Sequence, residues 1–568
     1  MDQARIRYIR EEIAQLPKGN ITYKTIRGKK YAYLQWTENG RQRSRRVKDD
    51  ELQELTEQIA KRKALEKKLK ETPESGRRPS VMQDDFFFSE VKYGQELLSF
   101  IEPVKGYKKR ECFSKLHDYV FGNSTDRVFI LYGLRRTGKT TLIRQVISEM
   151  TEEMQQQTAF VHVTSQVDLA KINLDMRQLK KSGYRYVFID EVTLMDDFIE
   201  GAALFSDIFA SSGMKVVLSG TDSLGFLFSE DRELYDRCFM VHTTFVPYRE
   251  FEKVLGIKGI DEYIRYGGTM SLGGVDYNRN GMTFATKESA ADYINSAIAR
   301  NIQHSLKNYQ DGTHFRNLAQ LYEVNELTSA INRIVEDINH RFALEVLQQI
   351  DVNEVTEQLR QLLEIKNKPE RVVEINDAHR NEIKEYLDLL DITMDIDIVY
   401  LSNLNQKEKR KLIKQPGLRY AQAEALIKSL MLDDVFRMLS LTERNVVTAR
   451  IISDIQGRMM EDIVLLETQM AFPKCEVFKL VFARGEFDMV IFDAETASCT
   501  IYEIKHSAEK VAAQYQHLID DEKCKATEFR FGPIKEKYVI YRGETCRMDN
   551  TIQYLNVEEY LNALPKGR

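Results

Sequence analysis

The chain has 568 residues, and its 82 Lys and Arg against 87 Asp and Glu leave a net charge of −5. Three or four domains are expected at this length, and 43% hydrophobic residues is enough for real cores. No apolar run approaches the roughly 20 residues that cross a bilayer, the start MDQARIRYIREE has no signal-peptide core, and cysteines 112, 238, 475, 499, 524 and 546 form no CxxC pair. These features argue against a membrane anchor, a disulfide framework and a zinc cluster, and a cytoplasmic protein with reduced thiols is expected.

The charge is unevenly spread. Residues 1–80 hold 21 Lys/Arg and 12 Asp/Glu, a net +9, so the remainder carries −14. Residues 2–16 place Ile6, Ile9, Ile13 and Leu16 on one helical face. A meander follows, with strands expected over 21–26, 30–36 and 41–47, the last after an Asn39-Gly40 turn. Tyr23, Tyr31, Tyr33 and Trp36 interleave there with Lys24, Arg27, Lys29, Lys30, Arg41, Arg43, Arg45 and Arg46. That mixture suits a nucleic-acid platform, or equally a small sheet with a solvated basic face. Residues 1–70 are thus an α+β arm ending in a charged helix over 50–70. Residues 71–85, with Pro73, Gly76 and Pro79, are a linker.

Residues 86–260 carry a nucleotide site. The apolar run Val128–Tyr132 leads into Gly133–Thr140, GLRRTGKT, and then into TTLIRQVISEM, a strand, glycine-rich turn and helix in the order a phosphate-binding P-loop requires. Gly133 and Gly138 let backbone N–H groups curl around an anion, Lys139 reaches the β- and γ-phosphates, and the Thr140 hydroxyl ligates Mg²⁺. Arg136, Thr137 and Thr141 complete the ATP-binding set. A second apolar run, Tyr184–Ile189, ends in Asp190-Glu191. Asp190 would hold Mg²⁺ and Glu191 would polarise the attacking water. Further strands are expected over 159–163 and 215–219, the latter ending in GTDS, where Ser219 or Thr221 is the candidate γ-phosphate sensor. Arg232 and Arg237 are candidate arginine fingers.

Residues 261–454 are mostly helical by pattern. A helix over 383–390, a strand over 394–402 and helices over 406–413 and 420–430 are expected to form a winged-helix-like grouping, which can bind DNA but reads first as a lid or spacer.

Residues 455–568 contain EFDMVIFDAETASCTIYEIK from Glu486 to Lys505. If its two apolar strands form a hairpin symmetric about the polar turn, Asp488 lies opposite Glu503, and Lys505 projects from the same face. Two carboxylates suit Mg²⁺, and a lysine can orient a water for attack on phosphorus. The competing reading is a plain cross-strand salt bridge. Glu461, on a helix over 457–470, is the candidate third acid, with Glu467 the alternative. Gln514 and His517 fall on a helix beginning near Glu509.

GLRRTGKT, YVFIDE, VVLSGTDS and Pro247–Phe251 resemble prokaryotic AAA+ ATPases of the archaeal-ATPase type, close to the signal-transduction ATPases with numerous domains. Asp488, Glu503, Lys505, Glu461 and Gln514 resemble the PD-(D/E)xK restriction-endonuclease-like fold, although Phe487 stands where that motif has proline. The resemblance implies an α/β protein with a P-loop AAA+ core, a helical middle and a C-terminal nuclease-like α/β domain. It implies ATP and Mg²⁺ as cofactors, catalytic roles for Glu191, Glu461, Asp488, Glu503, Lys505 and Gln514, DNA as target, and self-association. The alternative is an ATP-switched DNA-binding or regulatory protein whose nuclease fold is not catalytic.

Overall fold

The computed structural model describes residues 20–26, 29–38 and 41–47, scattered positions of 51–62, most of 87–270, parts of 315–338, and most of 375–566. The helix expected over 2–16, most of the one over 50–70, the linker 71–85 and Arg232 lie outside the described residues. The chain divides into two compact units, Met1–Asp84 and Asp85–Arg568.

In the first unit β1 (Asn20–Ile26), β2 (Lys29–Glu38) and β3 (Arg41–Arg46) form an antiparallel meander in that order. Trp36 pairs with Arg43 and Tyr33 with Arg46. Ala32, Leu34, Val47 and Ile59 make its small core.

The second unit holds two sheets. The first has β4 (Glu90–Lys92), β5 (Val128–Tyr132), β6 (Thr158–His162), β7 (Tyr186–Asp190), β8 (Lys215–Gly220) and β9 (Cys238–His242) in the order β4-β6-β7-β8-β5-β9. All pairs are parallel except β4 with β6. Strands such as Val128–Leu131 and Val187–Ile189 are continuously apolar because helices cover both faces. Those helices include α1 (Gly94–Ile101), α2 (Phe113–Phe121), α3 (Lys139–Ser148) and α4 (Leu169–Lys181). β8 separates β5 from β7, so the P-loop and the Asp190-Glu191 pair emerge at the same edge, two strands apart.

After α5 (Ile260–Tyr266) and α6 (Asp377–Leu389) comes the hairpin β10 (Thr393–Tyr400) and β11 (Lys407–Ile413). Here the structure departs from the winged-helix-like expectation. Residues 407–413 form a strand, not a helix, and the hairpin extends the C-terminal sheet. The helix-favouring Lys, Glu and Arg of KEKRKLI misled the pattern, because pairing with β10 overrides propensity. Those charges are what an edge strand carries to block further pairing. The expected helix over 420–430 lies within α7 (Pro416–Met431), and the one over 457–470 is part of the longer α8 (Leu441–Ala471).

The second sheet continues with β12 (Glu476–Val481), β13 (Glu486–Asp493), β14 (Ser498–Lys505), β15 (Ile534–Tyr541), β16 (Cys546–Met548) and β17 (Ile552–Asn556), in the order β11-β10-β12-β13-β14-β15-β17-β16. This sheet begins at Thr393, well before the expected boundary at 455. Helices α9 (Asp521–Phe531) and α10 (Val557–Ala563) pack on it. One core joins Phe245, Tyr248, Phe251 and Tyr263 of the first half to Met459, Ile463 and Leu466 of α8 and to Met489 and Ile504 of the sheet.

Candidate nucleotide site and carboxylate cluster

The P-loop is bent by three residues with positive φ: Gly133 (138°), Arg136 (66°) and Gly138 (92°). A side chain at Gly133 would meet Thr243 O at 2.5 Å, so the loop and the end of β9 touch there. The loop is braced from behind. Thr137 Oγ1 lies 2.8 Å from both Leu134 O and Thr243 Oγ1. The buried Arg110 donates to Thr137 O at 2.8 Å and pairs with Glu250 at 2.5 Å. Neither Arg110 nor Glu250 was among the residues expected at the site, although Glu250 falls in the Pro247–Phe251 stretch.

Lys139 is buried and donates to Gly133 O (2.7 Å) and Leu134 O (2.8 Å). Burial pulls its ammonium down to about 8, against the upward pull of Glu191 and Asp190. Thr140 and Thr141 fall in the first turn of α3. Thr140 Oγ1 donates to Asp190 Oδ2 at 2.8 Å, so hydroxyl and carboxylate converge as an Mg²⁺ ion held between P-loop and acid strand would need. The other Asp190 oxygen accepts from Ser219 Oγ. Glu191 has a left-handed backbone, φ 60°, and its Oε2 accepts from Thr221 Oγ1 at 3.2 Å. Ser219 therefore orients the Asp190 carboxylate and Thr221 that of Glu191. Arg237 is engaged elsewhere, with Asp207 at 3.0 Å.

In the second sheet β13 and β14 pair Met489↔Tyr502, Val490↔Ile501 and on to Asp493↔Ser498, the register expected from the symmetric hairpin. Asp488 Oδ2 accepts from Ile504 N and Lys505 Nζ, both at 2.7 Å, and Lys505 Nζ is 2.7 Å from Glu503 Oε2. Asp488 and Glu503 are buried, whereas the Lys505 side chain is 33% exposed. Burial, then the Asp488 charge, holds the Glu503 carboxyl well above the usual range. Burial also pushes against ionisation of Asp488, but Lys505 and Lys479 overcome it and hold that carboxyl low. Glu503 Oε1 is buried and has no hydrogen-bond partner among the described residues.

Glu461 reaches this group from α8. It pairs with Arg458 at 2.8 Å and lies 3.7 Å from Lys479, which is 3.9 Å from Asp488 and 2.6 Å from Glu486. Lys479 was not anticipated, although a lone lysine in the apolar strand EVFKLV is a legible signal. Glu467 faces the other way: its Oε1 accepts from Tyr248 N at 2.8 Å and lies 2.9 Å from the Tyr263 hydroxyl. The helix expected from Glu509 is a short 3₁₀ turn, Ala512–Gln514, and α9 starts only at Asp521. Gln514 turns inward to Glu509 O (2.8 Å), Val511 N (3.2 Å) and Tyr554 Oη (3.4 Å). His517 Nδ1 lies 2.6 Å from Lys523 Nζ, and burial, then the Lys523 charge, lowers its imidazole.

The cluster thus gathers four carboxylates (Glu461, Glu486, Asp488 and Glu503) around three cations (Arg458, Lys479 and Lys505). Among the described residues no three acidic, histidine or cysteine side chains converge to hold an ion. Lys505 lies between Asp488 and Glu503, 2.7 Å from each.

Residues 125–252 match the family model described as an AAA domain, and residues 2–57 match one described as a domain of unknown function, DUF6788. An uncharacterized protein of Methanocaldococcus jannaschii, MJ1544, is 21% identical over 250 residues, which are 39% of this chain and 53% of that protein. The chain therefore spans about half the length of this curated relative. Among solved structures, the Aeropyrum pernix Orc1 protein in complex with DNA is 12% identical, covering 60% of this chain and 94% of its own, with a TM-score of 0.21. A katanin structure is also 12% identical, covering 52% and 98%, with a TM-score of 0.20. Superpositions that loose establish no shared architecture. The AAA-domain match together with the P-loop geometry supports an AAA+ ATPase core with nucleotide-dependent activity. Among the described residues no helix is long and apolar enough to cross a membrane.

Proposed function

We propose that the chain hydrolyses ATP and uses the nucleotide to govern a metal-dependent nuclease centre that acts on DNA in the cytoplasm. The observation that carries the nuclease reading is the half-buried Lys505 bridging the buried Asp488 and Glu503 beside Glu461. Asp488 and Glu503 would hold Mg²⁺, which when bound supplies a Lewis acid for a phosphodiester. Lys505, released from the carboxylates, orients the water, and Lys479 helps hold Asp488 ionised while burial and the Asp488 charge push the Glu461 carboxyl up. The net +9 of residues 1–80 supports DNA as the target by attracting phosphates. Self-association belongs to this reading as well: Arg237, a surface residue beside Asp207, or Arg232 would serve as an arginine finger on the nucleotide of a neighbouring copy.

The test is Mg²⁺-dependent cleavage of single-stranded, duplex and nicked DNA and of RNA, by wild type and Asp488→Ala, with ATP hydrolysis measured in parallel. Cleavage lost in the variant while hydrolysis persists supports the reading, and equal cleavage by both proteins refutes it. A second reading is favoured by the way Lys505 and Lys479 already neutralise the carboxylates: an ATP-switched DNA-binding protein whose nuclease fold is not catalytic. Tight ATP-dependent DNA binding with no cleavage under any condition would select it.

A further inference from the structure

We infer that α5 is a strut through which the nucleotide state of the P-loop and the position of the Glu503–Lys505 strand end are energetically coupled, with Asp261 its positioning residue at the far end. This rests on the reading of the P-loop as a nucleotide site, but not on the C-terminal cluster being catalytic.

α5 runs from Ile260 to Tyr266, about 10 Å of helix. At its carboxyl end the chain turns through Gly267-Gly268 and meets the P-loop directly, where Met270 N donates to Arg136 O at 2.7 Å. Arg136 holds a left-handed backbone at the crown of that loop. The turn is clamped on its other side, where Gly417 N donates to Gly267 O at 3.0 Å. A Cβ on Gly268 would lie 2.7 Å from the Gln415 backbone, so the turn has no room to slide. At the amino end of α5 Asp261 grips the sheet. Its Oδ1 lies 2.7 Å from His506 Nε2 and its Oδ2 is 2.6 Å from Arg542 Nη2. His506 directly follows Lys505. A movement of the Arg136 carbonyl is thus carried along one short rigid helix to the residue next to the cluster's lysine. Packed interfaces of this kind shift between discrete arrangements and do not absorb displacement continuously.

Coupling between sites is reciprocal, so it can be read at the nucleotide without any cleavage. The experiment measures the affinities of full-length wild type, Asp261→Ala, His506→Ala and the double variant for ADP and for a slowly hydrolysed ATP analogue by calorimetry. Hydrogen exchange at residues 503–508 is followed in each nucleotide state. In wild type, exchange there should differ between the two nucleotides. Each single variant should abolish that difference and change the ratio of the two affinities by about fivefold or more, and the double variant should do no more than either single. His506→Ala keeps Asp261 and its bond to Arg542, so it guards against a folding failure of Asp261→Ala. A ratio within twofold of wild type in both single variants, with exchange at 503–508 blind to nucleotide, overturns the strut. A wild type that binds neither nucleotide overturns instead the reading of the P-loop.

Discussion

Lys139 is a buried cation whose hydrogen bonds among the described residues go to two neutral carbonyls, and that makes its protonation part of nucleotide binding. With its ammonium lowered to about 8, the free protein loses this charge as pH rises through 8, whereas a bound phosphate would hold the proton on. Affinity for ADP should therefore be flat below pH 8 and weaken by up to about tenfold per pH unit above it. Calorimetry in buffers of differing ionisation enthalpy should show proton uptake at pH 9. Lys139→Ala should abolish ATP binding. Glu191→Gln should keep binding and lose hydrolysis, because only the polarising carboxylate changes; equal turnover by this variant and wild type would contradict the role given to Glu191. Glu467 is the second residue with a legible titration. Burial first raises its carboxyl to about 7, and Oε2 has no hydrogen-bond partner among the described residues. A raised acid binds its proton more tightly when folded, so the native state loses stability as pH climbs from about 4.5 to 7 and then levels off. Relative to wild type, Glu467→Gln should gain about 2–3 kcal/mol between pH 5 and pH 8, read by urea denaturation.

At the scale of elements, α7, β11 and α8 are tied by one buried group. Asp462 accepts from Arg419 at 2.6 Å and lies 3.6 Å from Arg410. Both arginines hold its carboxyl low despite complete burial. Asp462→Ala strands two cations inside the molecule and should cost about 3–5 kcal/mol. Replacing Arg419 and Asp462 together by apolar residues should cost less than the single change, and a double variant as unstable as the sum would deny that they act as a pair. The same pair explains why Glu461 arrives at the carboxylate cluster. Asp462 fixes the roll of α8, which turns its neighbour Glu461 toward Lys479 and sends Glu467 to the opposite contact with Tyr248.

At the scale of the whole molecule, the chain separates a basic unit of 84 residues from an acidic one. Deleting residues 1–84 should leave ATP hydrolysis intact, because every P-loop contact described lies in the second unit. It should weaken DNA binding and flatten its dependence on salt by about one logarithmic unit of slope per lost phosphate contact. An unchanged slope would assign the arm to another partner. Cleavage, in turn, should depend on nucleotide state. A tenfold change needs only about 1.4 kcal/mol of differential stabilisation, within the reach of γ-phosphate contacts. Rates alike with ATP, ADP, analogue and no nucleotide would leave two independent sites.

Local features were enough to determine the P-loop, the Asp190-Glu191 strand and the β13–β14 register. Each depends on contiguous residues, namely a glycine turn between a strand and a helix, an apolar run ending in acids, and a two-residue period closed by a short turn. Tertiary structure decided the rest. Only the fold could bring Arg110 behind Thr137 or set Ser219 against Asp190 and Thr221 against Glu191. Only pairing with β10 could turn the helix-favouring 407–413 into an edge strand, and only the packing of α8 could choose Glu461 over Glu467 for the cluster. These partners lie tens to hundreds of residues apart. Their meeting reflects the free energy of a shared core, which no short window of sequence contains.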